Sequence, residues 1–258
     1  MHQKREAVNE APLVFLLGAS TGIGRALAEE LARRGRRVVI GGRRRQTLEA
    51  VVTDNPRLAE QLHPWEVDVT DAQGMREAYA GVEAQFGPVD TLIVNAGDYE
   101  PMPVEDFDPA LFRRLCDVNY LGPVNAIASA LPAMRGRRRG QIIITASVAG
   151  YRGLPRSAPY SASKAAAINL AEALRPELAR DGIILRVINP GFVRTRLTDK
   201  NRFEMPLITT PEKAATFIAD RLDGGGFEIV FPRRLGWALK LMRVLPYRLF
   251  FAITARMV

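Results

Sequence analysis

Residues 13–24 read LVFLLGASTGIG, and this stretch decides the fold. Five apolar residues, Leu13–Leu17, are followed at once by glycines at positions 18, 22 and 24. An uninterrupted apolar run predicts a strand that is buried on both faces, as in a parallel sheet. Glycine permits the tight turn after the strand and lets the next helix pack closely on the sheet. The stretch therefore predicts a strand–turn–helix unit.

The rest of the chain continues this alternation of short apolar runs and longer amphipathic stretches. Such alternation predicts βαβ units, and 258 residues suffice for one large α/β domain. We predict a single doubly wound domain with a seven-stranded, mostly parallel sheet and helices on both faces. The predicted strands are Leu13–Leu17, Val38–Ile40, Trp65–Val67, Thr91–Val94, Gln141–Thr145, Leu185–Ile188 and Glu228–Phe231. The predicted helices are Gly24–Arg34, Ala72–Phe86, Pro109–Met134, Pro159–Arg180 and Pro211–Leu222.

Three segments surround or interrupt this pattern. Residues 1–11 are polar and are predicted to be a flexible tail before a domain at 12–231. Residues 195–210 follow a strand and a Pro-Gly turn, and a loop of this length at that edge of a sheet is often a substrate lid. Residues 232–258 form a basic, amphipathic C-terminal extension.

Composition excludes several kinds of protein. A single cysteine excludes an intrachain disulfide and a Cys-based zinc site, and the two histidines are too far apart in sequence to suggest a His-based cluster, so no metal is expected. The net charge of +8 is mostly arginine, but no basic–aromatic interleaving or reading helix accompanies it, so nucleic acid is not expected as a partner. No secretory signal and no run of about 18 apolar residues is visible. A cytoplasmic protein, with membrane association left open, is expected.

The glycine turn indicates a dinucleotide site. Gly22 would let the backbone approach a pyrophosphate, and the N–H groups at the start of the helix would face its phosphates. Dinucleotide-binding folds that prefer NAD often place an acid at the end of the second strand. Here Arg43 and Arg44 follow that strand, and guanidinium groups pair strongly with a ribose 2′-phosphate. We therefore predict NADP(H), although these arginines are also compatible with an ordinary solvated loop.

Tyr160, Lys164 and Ser147 predict acid–base chemistry. Tyr160 and Lys164 are four residues apart and share one helix face. A nearby ammonium is expected to lower the pKa of the phenol from its usual value near ~10. Ser147 follows a buried strand, so its hydroxyl is expected to hold a substrate oxygen beside Tyr160.

In these motifs the chain resembles the short-chain dehydrogenases/reductases, oxidoreductases with an extended Rossmann-like core. Seven motifs occur in family order from about residue 12 to residue 231. They are Gly18-Ala19-Ser20-Thr21-Gly22-Ile23-Gly24, Asp68-Val69, Asn95-Ala96-Gly97, Asn119, Ser147, Tyr160-x-x-x-Lys164, and Pro190-Gly191-Phe192-Val193-Arg194-Thr195.

The resemblance implies a role for each motif. Tyr160 would be the general acid/base, Lys164 would bind the nicotinamide ribose, and Ser147 would orient the substrate. Asn119 would interrupt its helix and hold a water in a proton relay. The remaining motifs would bind the dinucleotide: Asp68 and Val69 at the adenine, Asn95, Ala96 and Gly97 along the cofactor, and Pro190, Gly191, Val193 and Thr195 near its carboxamide and phosphates. The resemblance also implies a homodimer or homotetramer.

Two departures from the family pattern and several alternatives remain. Val94 stands where an asparagine is common, and Thr21 stands where some NADP-using members carry a basic residue, so the cofactor prediction depends on Arg43 and Arg44. Singly, Asn119, Asp68 and Thr195 are equally compatible with structural roles in a helix, a turn and a helix cap.

The function predicted from the sequence is carbonyl–alcohol interconversion, with a lipophilic substrate favoured by the C-terminal extension. Tyr99, Tyr151 and Phe192 are predicted to line the pocket. The extension carries six basic residues and several aromatic ones, and Pro246 is expected to divide it into two short helices. It is compatible with a membrane-surface helix, a subunit interface or a cover over the pocket. The alternative functions are a non-catalytic dinucleotide sensor or scaffold, and a membrane-surface interaction protein.

Overall fold

A seven-stranded, fully parallel sheet forms the centre of the molecule. The computed structural model describes residues 11–201 and 203–257. The N-terminal tail predicted at 1–11 therefore lies almost wholly outside the described residues, as does position 202 of the predicted lid. The strands are β1 Leu13–Leu17, β2 Arg37–Gly42, β3 Leu62–Glu66, β4 Thr91–Val94, β5 Gly140–Thr145, β6 Ile183–Pro190 and β7 Glu228–Phe231. Their order across the sheet is β3-β2-β1-β4-β5-β6-β7.

Helices cover both faces of the sheet. They are α1 Gly22–Arg33, α2 Arg45–Thr53, α3 Ala72–Phe86, α4 Pro109–Cys116, α5 Gly122–Arg137, α6 Ala158–Arg180, α7 Pro211–Ala219, α8 Arg233–Val244 and α9 Tyr247–Thr254. Alternate residues of β1 point to opposite faces: Phe15 packs in the core under α3, α5 and α6, whereas Leu16 packs in the core under α1, α2 and α7. Both side chains are fully buried, which explains the unbroken apolar run in the sequence.

The predicted doubly wound fold is confirmed, with three differences in detail. The third strand is Leu62–Glu66 rather than Trp65–Val67. The sequence did not predict α2, a short helix that buries only Leu48 and Val51. The predicted helix Pro109–Met134 is divided into α4 and α5 by a π-helical turn at Asp117–Leu121.

The strand order creates a crevice beside β1. From β1 the chain moves outward to β2 and β3, then crosses to β4 on the other side of β1. In open α/β sheets ligands bind at such a reversal, outside the carboxyl ends of the strands. The glycine turn after β1, Asn95 after β4, Ser147 after β5 and Gly191 after β6 all lie at this edge.

Among the described residues, no helix has the length and apolarity required to cross a membrane. Leu245 and Pro246 separate α8 from α9, as Pro246 predicts.

Candidate active site

The glycine turn after β1 is closed against the end of β4. Gly18 has a positive φ of 80°, and a Cβ there would lie 2.5 Å from the Ala96 backbone. Asn95 donates a hydrogen bond from Nδ2 to the Gly18 carbonyl at 3.0 Å. A Cβ on Gly24 would overlap the same carbonyl and come within 2.6 Å of Asn95 Nδ2. The glycine motif between β1 and α1 and the Asn95-Ala96-Gly97 motif after β4, both predicted to hold a dinucleotide, are thus in direct contact.

The loop after β6 reaches the same turn. Gly22 has a φ of 58°, and a Cβ on it would lie 3.1 Å from Thr195 Cγ2. The Thr195 N–H donates to Thr198 Oγ1 at 2.9 Å, which fixes the loop locally. Ser20, Thr21 and Ile23 remain at least partly accessible between these walls, whereas the Val193 side chain is buried in the core. The small residues leave the space that a pyrophosphate needs at a helix N-terminus.

Arg43 and Arg44 lie where the sequence places them, directly after β2. Both side chains are exposed, and neither has an ion-pair or hydrogen-bond partner for its guanidinium among residues 11–201 and 203–257. The next arginine, Arg45, differs because it pairs with Glu49 at 2.8 Å. No carboxylate lies in the stretch Val38–Arg44.

The predicted adenine contacts have local structural roles as well. Asp68 Oδ1 accepts hydrogen bonds from the Thr70 N–H at 2.9 Å and the Thr70 hydroxyl at 2.8 Å, which forms a tight turn after β3. The Val69 carbonyl accepts from Asn125 Nδ2 at 2.9 Å. The turn reading of Asp68 is therefore observed, and its other carboxylate oxygen has no hydrogen-bond partner within the described part of the chain.

Asn119 is fully buried at the π-helical turn between α4 and α5. Its amide oxygen accepts from the Asp98 N–H at 2.9 Å, and its Nδ2 donates to the Asp98 carbonyl at 2.9 Å. Nδ2 also donates to Ser163 Oγ at 3.0 Å, and Ser163 in turn donates to the Tyr160 carbonyl at 2.8 Å. The extra residue of a π-turn re-aims the side chain, and here it links α4 and α5 to α6.

Tyr160, Lys164 and Ser147 converge at the carboxyl end of β5. The Lys164 ammonium donates to the Thr145 carbonyl at 2.8 Å and lies 5.9 Å from the centre of the Tyr160 ring. Tyr160 and Ser147 are joined by a side-chain hydrogen bond. A Cβ on Gly97 would lie 3.3 Å from Lys164 Nζ and 3.2 Å from Asn119 Oδ1. The four residues predicted to be catalytic thus lie together, next to the end of β4.

Electrostatics at this site differ from the expectation in one respect. Burial raises the pKa of Tyr160, and the hydrogen bond from Ser147 only partly offsets the effect. Burial also lowers the pKa of Lys164 to about 8. The prediction that Lys164 lowers the pKa of the phenol is therefore wrong in direction: desolvation dominates, because the charged form of each group is disfavoured in the interior.

The predicted lid is latched to the loop that follows β4. Lys200 donates to the Tyr99 carbonyl at 2.8 Å and pairs with Glu100 at 2.7 Å. The Tyr99 hydroxyl donates to Asn201 Oδ1 at 2.6 Å, and its ring meets the Tyr160 ring edge-on with centroids 4.9 Å apart. Tyr99 thus lies directly beside the predicted acid/base, as a pocket residue should.

Tyr151 does not line an open pocket, contrary to the prediction. It is 7% exposed, and its hydroxyl donates to Glu228, which also pairs with Lys240 of α8. Burial beside that carboxylate raises the pKa of Tyr151. Sequence reasoning also missed Ser163, although a small polar residue on the core side of a helix was an available signal.

Comparisons with known proteins agree with this geometry. The family model for short chain dehydrogenase matches residues 12–205. An uncharacterized oxidoreductase of Myxococcus xanthus is 35% identical over 243 residues, which cover 94% of this chain and 96% of the relative.

Two solved structures share the fold. A short chain dehydrogenase from Burkholderia cenocepacia in complex with NADP is 28% identical, with a TM-score of 0.81, and the match covers 95% of this chain and 98% of that one. A short chain dehydrogenase/reductase from Burkholderia phymatum in complex with NAD is 22% identical, with a TM-score of 0.82 over 90% of this chain and 93% of that one, and shows the fold alone.

The chain belongs to the short-chain dehydrogenase/reductase family. It is accordingly an oxidoreductase of the class that acts on CH–OH and C=O groups with a nicotinamide dinucleotide. In the described ranges, no group of three or more His, Cys, Asp or Glu side chains is arranged to hold a metal ion.

Proposed function

We propose that this chain is an NADP(H)-dependent oxidoreductase that interconverts a lipophilic ketone and its secondary alcohol, with Tyr160 moving the proton. The observation that carries the proposal is the convergence of Tyr160, Ser147, Lys164 and Asn119 beside Gly97, at the end of a glycine-walled crevice. When bound, the dinucleotide supplies a hydride to the substrate carbon or accepts one from it.

The residues present fit such a dinucleotide. Side chains at Gly18 or Gly24 would overlap the neighbouring backbone, so glycine lets the turn and the start of α1 lie close to the sheet edge. The N–H groups at the start of α1 would then face a pyrophosphate, while those of Gly18 and Ala19 donate to the Gly41 carbonyl. Arg43 and Arg44 favour the 2′-phosphate form, because two exposed guanidinium groups follow β2 where an acid would favour NAD.

Proton transfer is assigned to the Tyr160 hydroxyl. Its raised pKa keeps the phenol protonated near neutral pH, which suits donation to a carbonyl oxygen that gains charge as the hydride arrives. The Ser147 hydroxyl lies beside it and would hold the same oxygen by a hydrogen bond. Lys164, when charged, stabilises the phenolate that remains after the proton has left.

A lipophilic substrate is proposed from the surroundings of Tyr160. Its ring packs against a small apolar cluster formed by Met102, Leu111 and Leu115, and Phe112 packs against the same cluster. Tyr99 closes the other side of the ring. Apolar walls with a few convergent hydroxyl groups are typical of sites that bind small apolar ligands.

Reduction of a panel of ketones of graded lipophilicity, followed by consumption of NADPH, tests this function. We expect kcat/KM to rise with the apolar size of the ketone by about tenfold for every two buried methylene groups, at ~0.8 kcal/mol each. A preference for small hydrophilic ketones would contradict the substrate class, and no turnover of any carbonyl or alcohol would contradict the function.

The cofactor preference is tested by measuring the Kd for NADPH and the Kd for NADH. Replacing both residues, Arg43→Ala with Arg44→Ala, should raise the Kd for NADPH by about 10- to 100-fold and change that for NADH by less than about threefold. Arg45→Ala is the matched control, because Arg45 is already paired with Glu49 and should affect neither cofactor. Equal losses for NADPH and NADH would remove the argument for the 2′-phosphate.

A further inference from the structure

Helices α8 and α9, with the turn that follows them, form a surface that exposes large apolar side chains; residues 233–257 are called the C-terminal face below. Trp237, Leu241 and Val244 are 70%, 63% and 74% exposed. Spacings of four and three residues place all three on one side of α8. On α9, Tyr247 and Phe251 are 71% and 59% exposed, and their rings stack with centroids 5.7 Å apart.

The opposite side of these helices is firmly attached to the domain. Leu235 and Leu239 pack against the core, and Phe250 is only 5% exposed. Arg152 donates to the carbonyls of Met242, Arg243 and Leu245 at 2.6–3.0 Å, which caps the carboxyl end of α8. Its guanidinium also lies 4.0 Å from the centre of the Phe250 ring. The helices are therefore fixed to the domain, while Trp237, Leu241 and Val244 stay exposed on α8. Tyr247 also contacts the attachment, because the Arg152 guanidinium lies 4.9 Å from the centre of its ring.

The charge of the C-terminal face is of one sign. No acidic residue follows Glu228, whereas Arg233, Arg234, Lys240, Arg243, Arg248 and Arg256 give the segment a charge of +6. Arg234, Arg248 and Arg256 have no ion-pair partner within residues 11–201 and 203–257. On α8, Arg233 lies four residues before Trp237 and Arg234 seven before Leu241, so two cations lie in line with the apolar stripe at the N-terminal end of the helix.

We propose that the C-terminal face docks on an anionic lipid bilayer, with its apolar stripe in the headgroup–acyl boundary and its arginines among the acidic headgroups. Apolar and aromatic side chains bordered by cations are the features that bind a helix in a membrane interface. A second copy of this chain is a poorer partner, because a two-fold contact would set the cations of one face that are unpaired within the described residues, Arg233, Arg234, Arg248 and Arg256, against the same cations of the other. A pocket cover would bury the stripe, which is instead exposed.

Co-sedimentation of the full chain with lipid vesicles tests the proposal. We expect binding to phosphatidylglycerol–phosphatidylcholine vesicles, little binding to phosphatidylcholine alone, and loss of binding at about 1 M salt, where the Debye length is only ~3 Å. Replacing three exposed side chains, Trp237→Ser with Leu241→Ser and Phe251→Ser, should weaken binding by at least about tenfold. The matched control replaces three other exposed apolar side chains by Ser, namely Val104, Phe107 and Ile184. This variant should bind to vesicles as the unaltered chain does.

A charge variant tests the proposal independently of the apolar stripe. Arg234→Gln with Arg248→Gln and Arg256→Gln should weaken binding by about 100-fold, at ~1 kcal/mol per cation. The same number of exposed arginines replaced elsewhere, Arg57, Arg113 and Arg180 by Gln, should have a much smaller effect.

Three results would overturn the proposal. The first is no binding of the full chain to anionic vesicles, and the second is equal losses in the variants and their controls. The third is a fall in oligomeric mass, by light scattering without vesicles, when the apolar stripe is replaced, because a second copy would then be the occupant.

Discussion

At the residue scale, Lys164 is the most telling group in the molecule: the residue is 3% exposed, and its ammonium has one hydrogen-bond acceptor in the described part of the chain, the Thr145 carbonyl. Burial lowers its pKa from 10.5 to about 8. Below about pH 8 the folded protein bears the full desolvation cost of this charge. Between about 8 and 10.5 the unfolded chain binds the proton more tightly than the folded one, so the cost disappears as the pH rises.

This linkage predicts a pH-dependent difference between the protein and its Lys164→Met variant. The free energy of unfolding of the original chain, minus that of the variant, should rise by about 3 kcal/mol between pH 8 and 10.5. Urea unfolding across this range measures it, and subtraction cancels other titrating groups. Lys213→Met, on the exposed side of α7, is the control and should give a difference that does not change with pH. If the difference in the free energy of unfolding for Lys164→Met also did not change with pH, the buried ammonium would carry no desolvation cost.

Individual residues of the site could be predicted only where a motif fixed them. The glycine turn could be read because only glycine fits at Gly18 and Gly24. The partners of Tyr151 could not be predicted, because Glu228 lies 77 residues away and meets it only after folding. The predicted shift of the Tyr160 pKa was also wrong in direction, because the spacing reveals the neighbouring Lys164 but not how deeply Tyr160 is buried.

At the scale of secondary-structure elements, the π-helical turn at Asp117–Leu121 is the junction of the site. It presents Asn119 to Asp98 on one side and to Ser163 of α6 on the other. The amide satisfies the Asp98 backbone, whose polar groups would otherwise be left without protein partners. The junction therefore holds α6, and with it Tyr160 and Lys164, in position against β4.

A double-mutant cycle at this junction measures how strongly the elements are coupled. Asn119→Ala should destabilise the protein by about 1–3 kcal/mol, because the partly buried N–H and carbonyl of Asp98 lose their partners, and Ser163→Ala by about 1 kcal/mol. The coupling energy of the pair should be about 0.5–1.5 kcal/mol, determined by urea unfolding of the four proteins. Ser129→Ala, which removes a hydroxyl bonded only within α5, is the control and should show no coupling to Asn119→Ala. Strict additivity of the two changes would contradict the link between the π-turn and α6.

A helix or strand could be predicted from the sequence only where its pattern of apolar residues was strong. Runs such as Ile142-Ile143-Ile144 are buried on both faces and gave β5 directly. The short helix α2 was missed because it opens with arginine and glutamine and buries only two side chains, so its periodicity is weak. The π-turn was invisible as backbone geometry, and only the family motif at Asn119 indicated an interruption.

At the scale of the whole molecule, the strand order explains why distant motifs meet. Residues that follow β1, β4, β5 and β6 are up to about 175 positions apart, yet parallel strands deliver them all to one edge of the sheet. The C-terminal face is joined to this edge through Arg152, which follows the Ser147–Tyr151 segment and caps α8. The proposed lipid contact and the proposed chemistry thus belong to neighbouring parts of one rigid framework.

The central claim is that the Tyr160 hydroxyl moves the proton while the glycine-walled crevice holds the dinucleotide. Single-turnover reduction by the Tyr160→Phe variant, with NADPH binding measured in parallel, tests it most directly, because the ring and its contact with Tyr99 are retained. We predict a fall in the rate of reduction of about 10²- to 10⁴-fold, the usual contribution of a general acid, with the Kd for NADPH unchanged within about twofold. Reduction at the original rate by Tyr160→Phe would contradict the account.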